Sequence, residues 1–238
     1  MIGPTEIASA PGFLKHLAIP GNQCAMFCLD ECGMLLKNLQ QPTSPNAELT
    51  RMLTKMFSSA GMPEAKAYAD SKNSFSIPWH HVSVYGCSTP QAFWSALQES
   101  DTVNGFLARW LIFDSRAEAP VPKKKINHNV PKKLLKKLLE IWNIVPLQNK
   151  DVRDLGSLAK VDKNQIAPQP HTIEKTTAAS DIFDKFSSKY HNLKNSFREN
   201  SAISSIYGRV AEHAHKLALI HAVSLHGKDI IKNKVDVD

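Results

Sequence analysis

The sequence predicts an α/β fold in which a parallel sheet is flanked by helices and followed by a mostly helical C-terminal lobe. Strands separated by helices are typical of parallel sheets, whose buried strands read as nearly continuous apolar stretches. After Asp114 the composition changes to a basic, proline-containing linker and then to helical patterns. We therefore expect one domain over 1–115 and a helical lobe over 116–238. Three apolar runs are predicted as the strands: 25–30, 80–86 and 110–113.

Composition favours a globular protein with an anionic partner. The 238 residues are 42% hydrophobic, which is enough for one sizeable core and a smaller lobe. The formal net charge of +7 favours nucleic acid ahead of a membrane. No apolar run reaches the roughly 18 residues that a membrane span needs, and we expect no membrane partner. Four cysteines are too few for a disulfide framework and no signal peptide opens the chain, so the expected compartment is a reducing cytosol.

The first predicted strand ends in two adjacent carboxylates, Asp30 and Glu31. Open α/β sheets place their chemistry just past the carboxyl ends of the strands. An Asp there can hold Mg²⁺ together with substrate phosphates, and a Glu beside it can orient or deprotonate a water that attacks a phosphoryl group. The same pattern also arises where a buried strand meets a solvated loop, so this second interpretation stays open.

Helices are predicted on both sides of the two longer strands. A short helix over Ser9–Ala18 has Ser9 as its N-cap, and the segment 47–58 has apolar residues at helical spacing. The second strand is followed by the small polar residues Ser88 and Thr89, and then by a helix over Pro90–Leu97 in which Pro90 suits the first turn.

Three cysteines are spaced by four residues: Cys24, Cys28 and Cys32. On a helix this spacing would gather thiolates on one face, as a metal site requires. The segment reads as a strand, however, in which Cys behaves as a small buried hydrophobe, and we expect that role.

A strongly basic amphipathic helix is predicted over 131–145. One interpretation is a surface that faces the phosphates of DNA. The other is a solvated lysine face on a helix that docks through its leucines. The segment 148–175 is predicted as a loop-rich crossover, and two further helices are expected over 181–197 and 205–226. Four lysines form the basic face: Lys132, Lys133, Lys136 and Lys137.

An ordered set of short motifs resembles a known family. In chain order they are 6–14 (EIASAPGFL), 29–33 (LDECG), 85–90 (YGCSTP), 105–110 (GFLARW) and 209–213 (RVAEH). Together they resemble the P-loop ATPase region of phage- and plasmid-type primase-helicase proteins, a bacterial family. The resemblance covers most of the chain and is firmer before Asp114. It implies a partial P-loop ATPase sheet, ATP and Mg²⁺ as cofactors, DNA as partner, a homo-oligomeric ring and a bacterial cytoplasm.

The resemblance also implies a role for individual residues. Asp30 would bind Mg²⁺ and Glu31 would polarise the attacking water. Ser88 or Thr89 would sense the γ-phosphate, and Arg109 would be an arginine finger presented to a neighbouring subunit, a device that accelerates phosphoryl transfer by about 10³–10⁵. Each role has a plainer alternative, which for Arg109 is a surface residue or an ion-pair partner.

A late arginine and the missing P-loop complete the comparison with the family. Arg209 would be a second phosphate-sensing arginine, with an ordinary helix-terminal cation as the alternative. No Gly-x-x-x-x-Gly-Lys-Ser/Thr motif occurs in the sequence, although such a loop supplies the amide nest and the Lys that cradle phosphates. We therefore expect the C-terminal part of a split or truncated ATPase, with an unpaired slot in its sheet, which needs an N-terminal P-loop-bearing partner.

Three functions follow from these patterns. The first is a fragment of a DNA replication helicase or primase-helicase ATPase that is not active alone. The second is a non-catalytic DNA-binding or assembly module of a mobile element, which rests on the basic helix. The third is an inactive prophage remnant.

Overall fold

A computed structural model describes residues 2–19, 22–39, 41, 44, 48–58, 64–66, 75–77, 79–115, 129–144 and 171–231. The chain divides into two units, and the described residues up to Trp110 form the first while those from Leu111 form the second. The domain boundary expected at 115 stays a prediction. The predicted linker at 120–125 and most of the predicted crossover, 148–170, lie outside the described residues.

The first unit holds five α-helices among its described residues. The prediction for α1 is confirmed: Ser9 Oγ accepts a hydrogen bond from Gly12 N at 3.1 Å and caps the helix, which satisfies one free amide of its first turn. A 3-10 helix, Leu107–Arg109, follows α5. The helices are α1 Ala10–Ala18, α2 Cys32–Leu39, α3 Leu49–Ser58, α4 Pro90–Ser95 and α5 Glu99–Val103.

Two of the predicted strands pair in a parallel sheet, which confirms the α/β class. The strands are β1 (Cys24–Leu29) and β4 (His81–Gly86), and their register runs from Cys24 opposite His81 to Leu29 opposite Gly86. Two shorter strands, β2 (Glu64–Lys66) and β3 (Phe75–Ile77), form a separate antiparallel pair. On the edge of β1 away from β4, Gly3 N donates to Met26 O at 2.8 Å.

The third predicted strand, at 110–113, is wrong. Trp110 is extended, with φ −101° and ψ 141°, but its amide donates to Leu107 O, and residues 110–115 pair with no strand of the described chain. Trp110 is partly buried against the core, but the rest of the apolar run is exposed, and Phe113 is 89% exposed. An apolar run is consistent with a buried strand only when neighbouring strands cover it, and the sequence does not contain that information.

One face of the parallel sheet builds the core of the first unit. Ala25, Phe27 and Leu29 alternate along β1 and are buried, whereas Met26 on the opposite face is 43% exposed. The ring of Phe27 lies 5.2 Å from the ring of Phe13 on α1. Helices α1, α2 and α3 each bury an apolar side in the same cluster. The helices therefore cover one face of the parallel sheet.

The second unit is helical in its described residues. Its helices are α6 (Lys132–Trp142), α7 (Thr177–Ser196) and α8 (Ser201–His226), and a 3-10 helix, Gly227–Ile231, follows α8. Helices α7 and α8 pair through aromatic contacts. For example, the rings of Phe183 and His215 are stacked, with 4.1 Å between their centroids. No helix in the described part of the chain is long and apolar enough to cross a membrane.

Both long helices begin about one turn earlier than the sequence indicated, because their caps lie upstream of the apolar pattern. Thr176 Oγ1 accepts from Ala179 N at 3.2 Å, and Asn200 Oδ1 accepts from Ile203 N at 3.1 Å. Such side-chain acceptors stabilise a helix start by about 1 kcal/mol each.

Candidate functional site

The predicted site residues that follow the two parallel strands lie at the same end of the sheet. Leu29 and Gly86, the last residues of β1 and β4, lie opposite each other. The segment Asp30–Glu31, which follows β1, is therefore next to the segment Cys87–Thr89, which follows β4. Two backbone hydrogen bonds tie these segments together: Cys87 N donates to Leu29 O at 3.1 Å, and Cys32 N donates to Cys87 O at 2.8 Å. The carboxyl ends of neighbouring parallel strands are where α/β proteins bind ligands.

The two carboxylates at this end are exposed. Asp30 Oδ1 accepts a hydrogen bond from Glu31 N at 3.1 Å. Glu31 has φ +51° and is the one non-glycine residue with positive φ in the described chain. This left-handed conformation is unfavourable for Glu, and such residues cluster at functional sites. At Glu31 the chain departs from the extended backbone of β1, and α2 begins at the next residue.

The two hydroxyl residues differ in their engagement. Thr89 Oγ1 accepts from Ala92 N at 3.2 Å and is the N-cap of α4. Ser88 Oγ is buried and has no hydrogen-bond partner within the described chain. A buried hydroxyl without a partner costs free energy, which distinguishes Ser88 from Thr89, whose oxygen already accepts one hydrogen bond.

Two glycines that the sequence did not single out allow the helix α2 to approach the end of β4. A Cβ on Gly86 would lie 2.6 Å from Cys32 Cβ, and a Cβ on Gly33 would lie 2.8 Å from Ser88 Oγ. The available signal was their position, since each glycine lies at or within a few residues of a strand's end. Small residues there let two backbones come close, which places the start of α2 beside Ser88.

Cys32 and Cys87 lie near this end of the sheet. No group of three or more His, Cys, Asp or Glu residues in the described chain could hold a metal ion. Burial raises the pKa of the Cys32 thiol, and the nearby Cys87 raises it further. Cys87 Sγ lies 3.4 Å from Tyr85 Oη, and the interaction with this thiol raises the pKa of Tyr85. The expectation that the three spaced cysteines are buried on a strand is wrong for Cys24, which is exposed, and for Cys28, which is half-buried. Cys32 is buried, but it lies at the start of α2.

The donor set nevertheless fits Mg²⁺ in the way that phosphate-transfer sites use it. Mg²⁺ prefers hard oxygen ligands and is commonly bound through one or two carboxylates together with substrate phosphates and water. Asp30 offers an exposed carboxylate, and Ser88 offers a hydroxyl without a partner among the described residues. A cluster of three protein ligands is therefore not required here.

Arg109 lies in the first unit, and its guanidinium contacts other residues of that unit. Arg109 Nη1 donates to Gly105 O at 2.6 Å, and the guanidinium carbon lies 5.9 Å from the ring centroid of Phe57. These contacts hold the side chain against α3. A role as an arginine finger stays a prediction, and it requires the side chain to exchange these contacts for those of a phosphate.

Arg209 lies in the second unit. The expectation that it starts the late helix is wrong, because α8 begins at Ser201 and Arg209 lies in its third turn. Arg209 Nη1 is 3.0 Å from Glu212 Oε2, and Lys216 Nζ is 3.3 Å from Glu212 Oε1. Its role as a phosphate sensor stays a prediction.

The basic helix α6 is exposed along nearly its whole length. All four of its lysines are exposed, as predicted for a solvated or phosphate-facing surface. The alternative in which the helix docks through its leucines stays a prediction, and in the described chain those side chains are each about half exposed. Their exposed fractions are 49% for Leu134, 48% for Leu135, 52% for Leu138 and 52% for Leu139.

Comparison with known proteins gives no match to a family model, a curated protein or a solved structure. The resemblance to primase-helicase ATPases therefore stays a prediction that rests on the motifs in the sequence.

Proposed function

We propose that the first unit carries the metal- and water-binding half of an ATPase site, as a fragment of a DNA replication helicase or primase-helicase that is not active alone. The observation that carries this proposal is the parallel register of β1 and β4. It brings Asp30 and Glu31 to the same end of the sheet as Ser88. Carboxylates and a hydroxyl at adjacent strand ends are the groups that phosphoryl transfer needs beside a phosphate cradle.

Each residue has a distinct task in this proposal. Asp30 would hold Mg²⁺, which supplies charge neutralisation to the phosphates when it is bound. Glu31, which has a left-handed backbone just past the end of β1, would orient a water and accept its proton. Ser88, the buried hydroxyl, would donate a hydrogen bond to the γ-phosphate or to the water.

The phosphate cradle has to come from another segment, because the sequence contains no P-loop motif. A P-loop contributes backbone amides and a Lys, and together these supply much of the affinity for phosphates. A half-site built on Asp30 and Ser88 should therefore bind nucleotide weakly and hydrolyse it only beside a P-loop-bearing partner. A homo-oligomeric ring that completes the site between subunits is compatible with this division.

The proposal is tested by titrating the full chain with a fluorescent ATP analogue, with and without Mg²⁺. We expect weak, Mg²⁺-dependent binding that the double variant Asp30→Ala/Glu31→Ala weakens by at least about tenfold, which corresponds to the loss of roughly one charged contact. The matched control is Glu199→Ala/Asp229→Ala, which removes two exposed carboxylates from the second unit and should leave binding unchanged. Equal binding by both double variants, or no Mg²⁺-dependent binding, refutes the proposal.

A second assay adds a polypeptide that carries the P-loop motif. ATP hydrolysis should then appear, and Glu31→Gln should reduce it by about 10²–10⁴, the range for loss of a general base. Hydrolysis that survives Glu31→Gln assigns another base and contradicts the role given to Glu31.

A non-catalytic DNA-binding or assembly module is the second candidate, and the four exposed lysines of α6 favour it. A salt-dependent affinity for DNA that survives Asp30→Asn and Glu31→Gln would support this candidate. It does not account for the exposed leucines of the same helix.

A further inference from the structure

Helix α6 has two complete faces of opposite chemistry. At 100° per residue, its four lysines and Glu140 occupy one side. The other side consists of apolar residues without interruption, namely Leu134, Leu135, Leu138, Leu139, Ile141 and Trp142. Lys132 and Lys137 border the apolar face on its two sides. A helix divided in this way is suited to a boundary between water and an apolar phase.

Two polar side chains of α6 contact described residues near the end of α8. Lys137 Nζ donates to Ser224 O at 2.9 Å near the end of α8. A Cβ on Gly227 would lie 3.7 Å from Glu140 Oε2, so Glu140 is adjacent to the following 3-10 helix. The leucines, in contrast, are about half exposed, and Trp142 is 76% exposed. Within the described part of the chain, the apolar face of α6 is therefore only partly covered.

We propose that α6 binds the surface of an anionic phospholipid bilayer, lying in the plane of the interface. In that position the leucines enter the boundary between headgroups and acyl chains while the lysines contact lipid phosphates. Trp142, at the end of the helix, suits the headgroup level, where the amphipathic indole ring is favoured. With 11 residues the helix lies on a membrane and does not cross it.

Charge complementarity separates this occupant from two others. DNA would use the lysines but leave the leucine face in water. A second copy of the chain would cover the leucines but bring the bordering lysines, Lys132 and Lys137, against those of its partner. Three helical turns are also too short for a stable coiled coil. An anionic bilayer satisfies both faces together. The overall charge favoured nucleic acid ahead of a membrane, and the open leucine face reverses that order for this helix.

The test is cosedimentation of the full chain with two kinds of vesicle. One contains phosphatidylcholine alone, and the other contains phosphatidylcholine mixed with phosphatidylglycerol. We expect binding to the anionic vesicles that exceeds binding to the neutral ones by at least about tenfold, and that high salt weakens. The emission of Trp142, isolated by comparison with Trp142→Phe, should shift to the blue on binding.

Two double variants separate the faces of α6. Leu134→Ser/Leu138→Ser should weaken vesicle binding by at least about tenfold, because the apolar contribution is lost. Lys132→Gln/Lys136→Gln should weaken it by roughly 20- to 30-fold through lost attraction to anionic lipid. The matched control, Leu219→Ser/Leu225→Ser, makes the same changes at half-exposed positions of α8 and should bind as the unaltered chain does. Circular dichroism confirms that each variant keeps its helices.

Three results would overturn the proposal. The first is equal binding to both kinds of vesicle, or no binding to either. The second is a lysine-dependent affinity for a DNA duplex without vesicle binding, which assigns the helix to nucleic acid. The third is a dimer that Leu134→Ser/Leu138→Ser dissolves without vesicle binding, which assigns the leucine face to a second copy. None of these results bears on the nucleotide site, because no variant used here lies in the first unit.

Discussion

The two units of this protein have similar amphipathic patterns in their helices, but they differ in how much of the apolar side is buried. In the first unit the apolar residues of α1, α2, α3 and β1 converge on one buried cluster. In the second unit only Ala179, Phe183 and Ile230 are buried hydrophobic residues among those described, although its helices are longer. An amphipathic pattern thus predicts a helix in both units, but it does not predict whether the apolar face meets the chain's own core.

Because of this difference, we expect apolar residues of the first unit to contribute mainly to stability and those of the second unit to contribute mainly to binding. The first unit holds its candidate site on a packed sheet, which keeps Asp30 and Ser88 in a fixed relation. The second unit presents apolar surface, such as the leucine face of α6, that a partner can cover. Substitutions of the same kind in the two units should therefore have different effects.

The largest difference is expected for two matched leucines. Leu17→Ala removes a fully buried side chain from the core of the first unit and should destabilise the protein by about 2–5 kcal/mol. Leu217→Ala, at a position that is 45% exposed on α8, should cost less than about 1 kcal/mol. Urea unfolding of each variant gives the two values. Equal losses would mean that the second unit has a core of its own.

Replacing a glycine by alanine should have opposite effects on stability in the two units. Gly86→Ala places a Cβ 2.6 Å from Cys32 Cβ and should destabilise the first unit by about 1–3 kcal/mol. Gly208→Ala lies within α8, where the nearest atom to the new Cβ is Lys194 Cδ at 3.6 Å. It should stabilise the second unit by about 0.5–1 kcal/mol, because Ala favours a helix interior. Thermal unfolding followed by circular dichroism distinguishes the signs, and a stabilising Gly86→Ala contradicts the close packing at the site.

Two arginines with implied phosphate roles differ in their surroundings. Arg109→Ala removes a hydrogen bond to Gly105 O and a contact with the Phe57 ring, and should cost about 1–2 kcal/mol. Arg209→Ala removes an ion pair with Glu212 three residues away on one helix, which should cost about 0.2–0.5 kcal/mol. The midpoints of urea unfolding measure both. If Arg109→Ala leaves the midpoint unchanged, the guanidinium is available to act elsewhere, as an arginine finger requires.

The smallest effect concerns the thiols of the first unit. Cys32 is buried and its pKa is raised, so the folded protein keeps this thiol protonated at a pH where the unfolded chain begins to ionise it. Stability should therefore fall as the pH rises above about 8.5, and Cys32→Ala should reduce that slope. Alkylation read by peptide mass spectrometry should modify the exposed Cys24 and Cys87 before Cys32. Modification of Cys32 at an equal rate argues against its burial.

Much of the first unit could be predicted from local patterns. The apolar runs that became β1 and β4, the cap at Ser9 and the helix start at Pro90 all depend on neighbouring residues in the chain. Helix α2 was not predicted, although Leu36 and Leu39 show helical spacing, because it begins directly after the site. The strand at 110–113 was wrong because a strand needs a partner, and pairing is not a local property.

The candidate site shows the same division. Its residues Asp30, Glu31, Ser88 and Thr89 could be named from the sequence because each follows an apolar run. The left-handed turn at Glu31 and the close approach of α2 to Gly86 could not, because both arise when the two strand ends are tied together. The capping bond of Thr89, which distinguishes it from Ser88, also depends on where α4 begins.

The most direct test of the central claim is to locate the effect of Mg²⁺ and ATP on the amide signals of the ¹⁵N-labelled full chain. The account predicts that the largest shifts occur at residues 30–33 and 87–89, that they require Mg²⁺, and that Asp30→Asn abolishes them. Shifts that avoid both segments, or that persist unchanged in Asp30→Asn, would show that the end of the parallel sheet is not the nucleotide site.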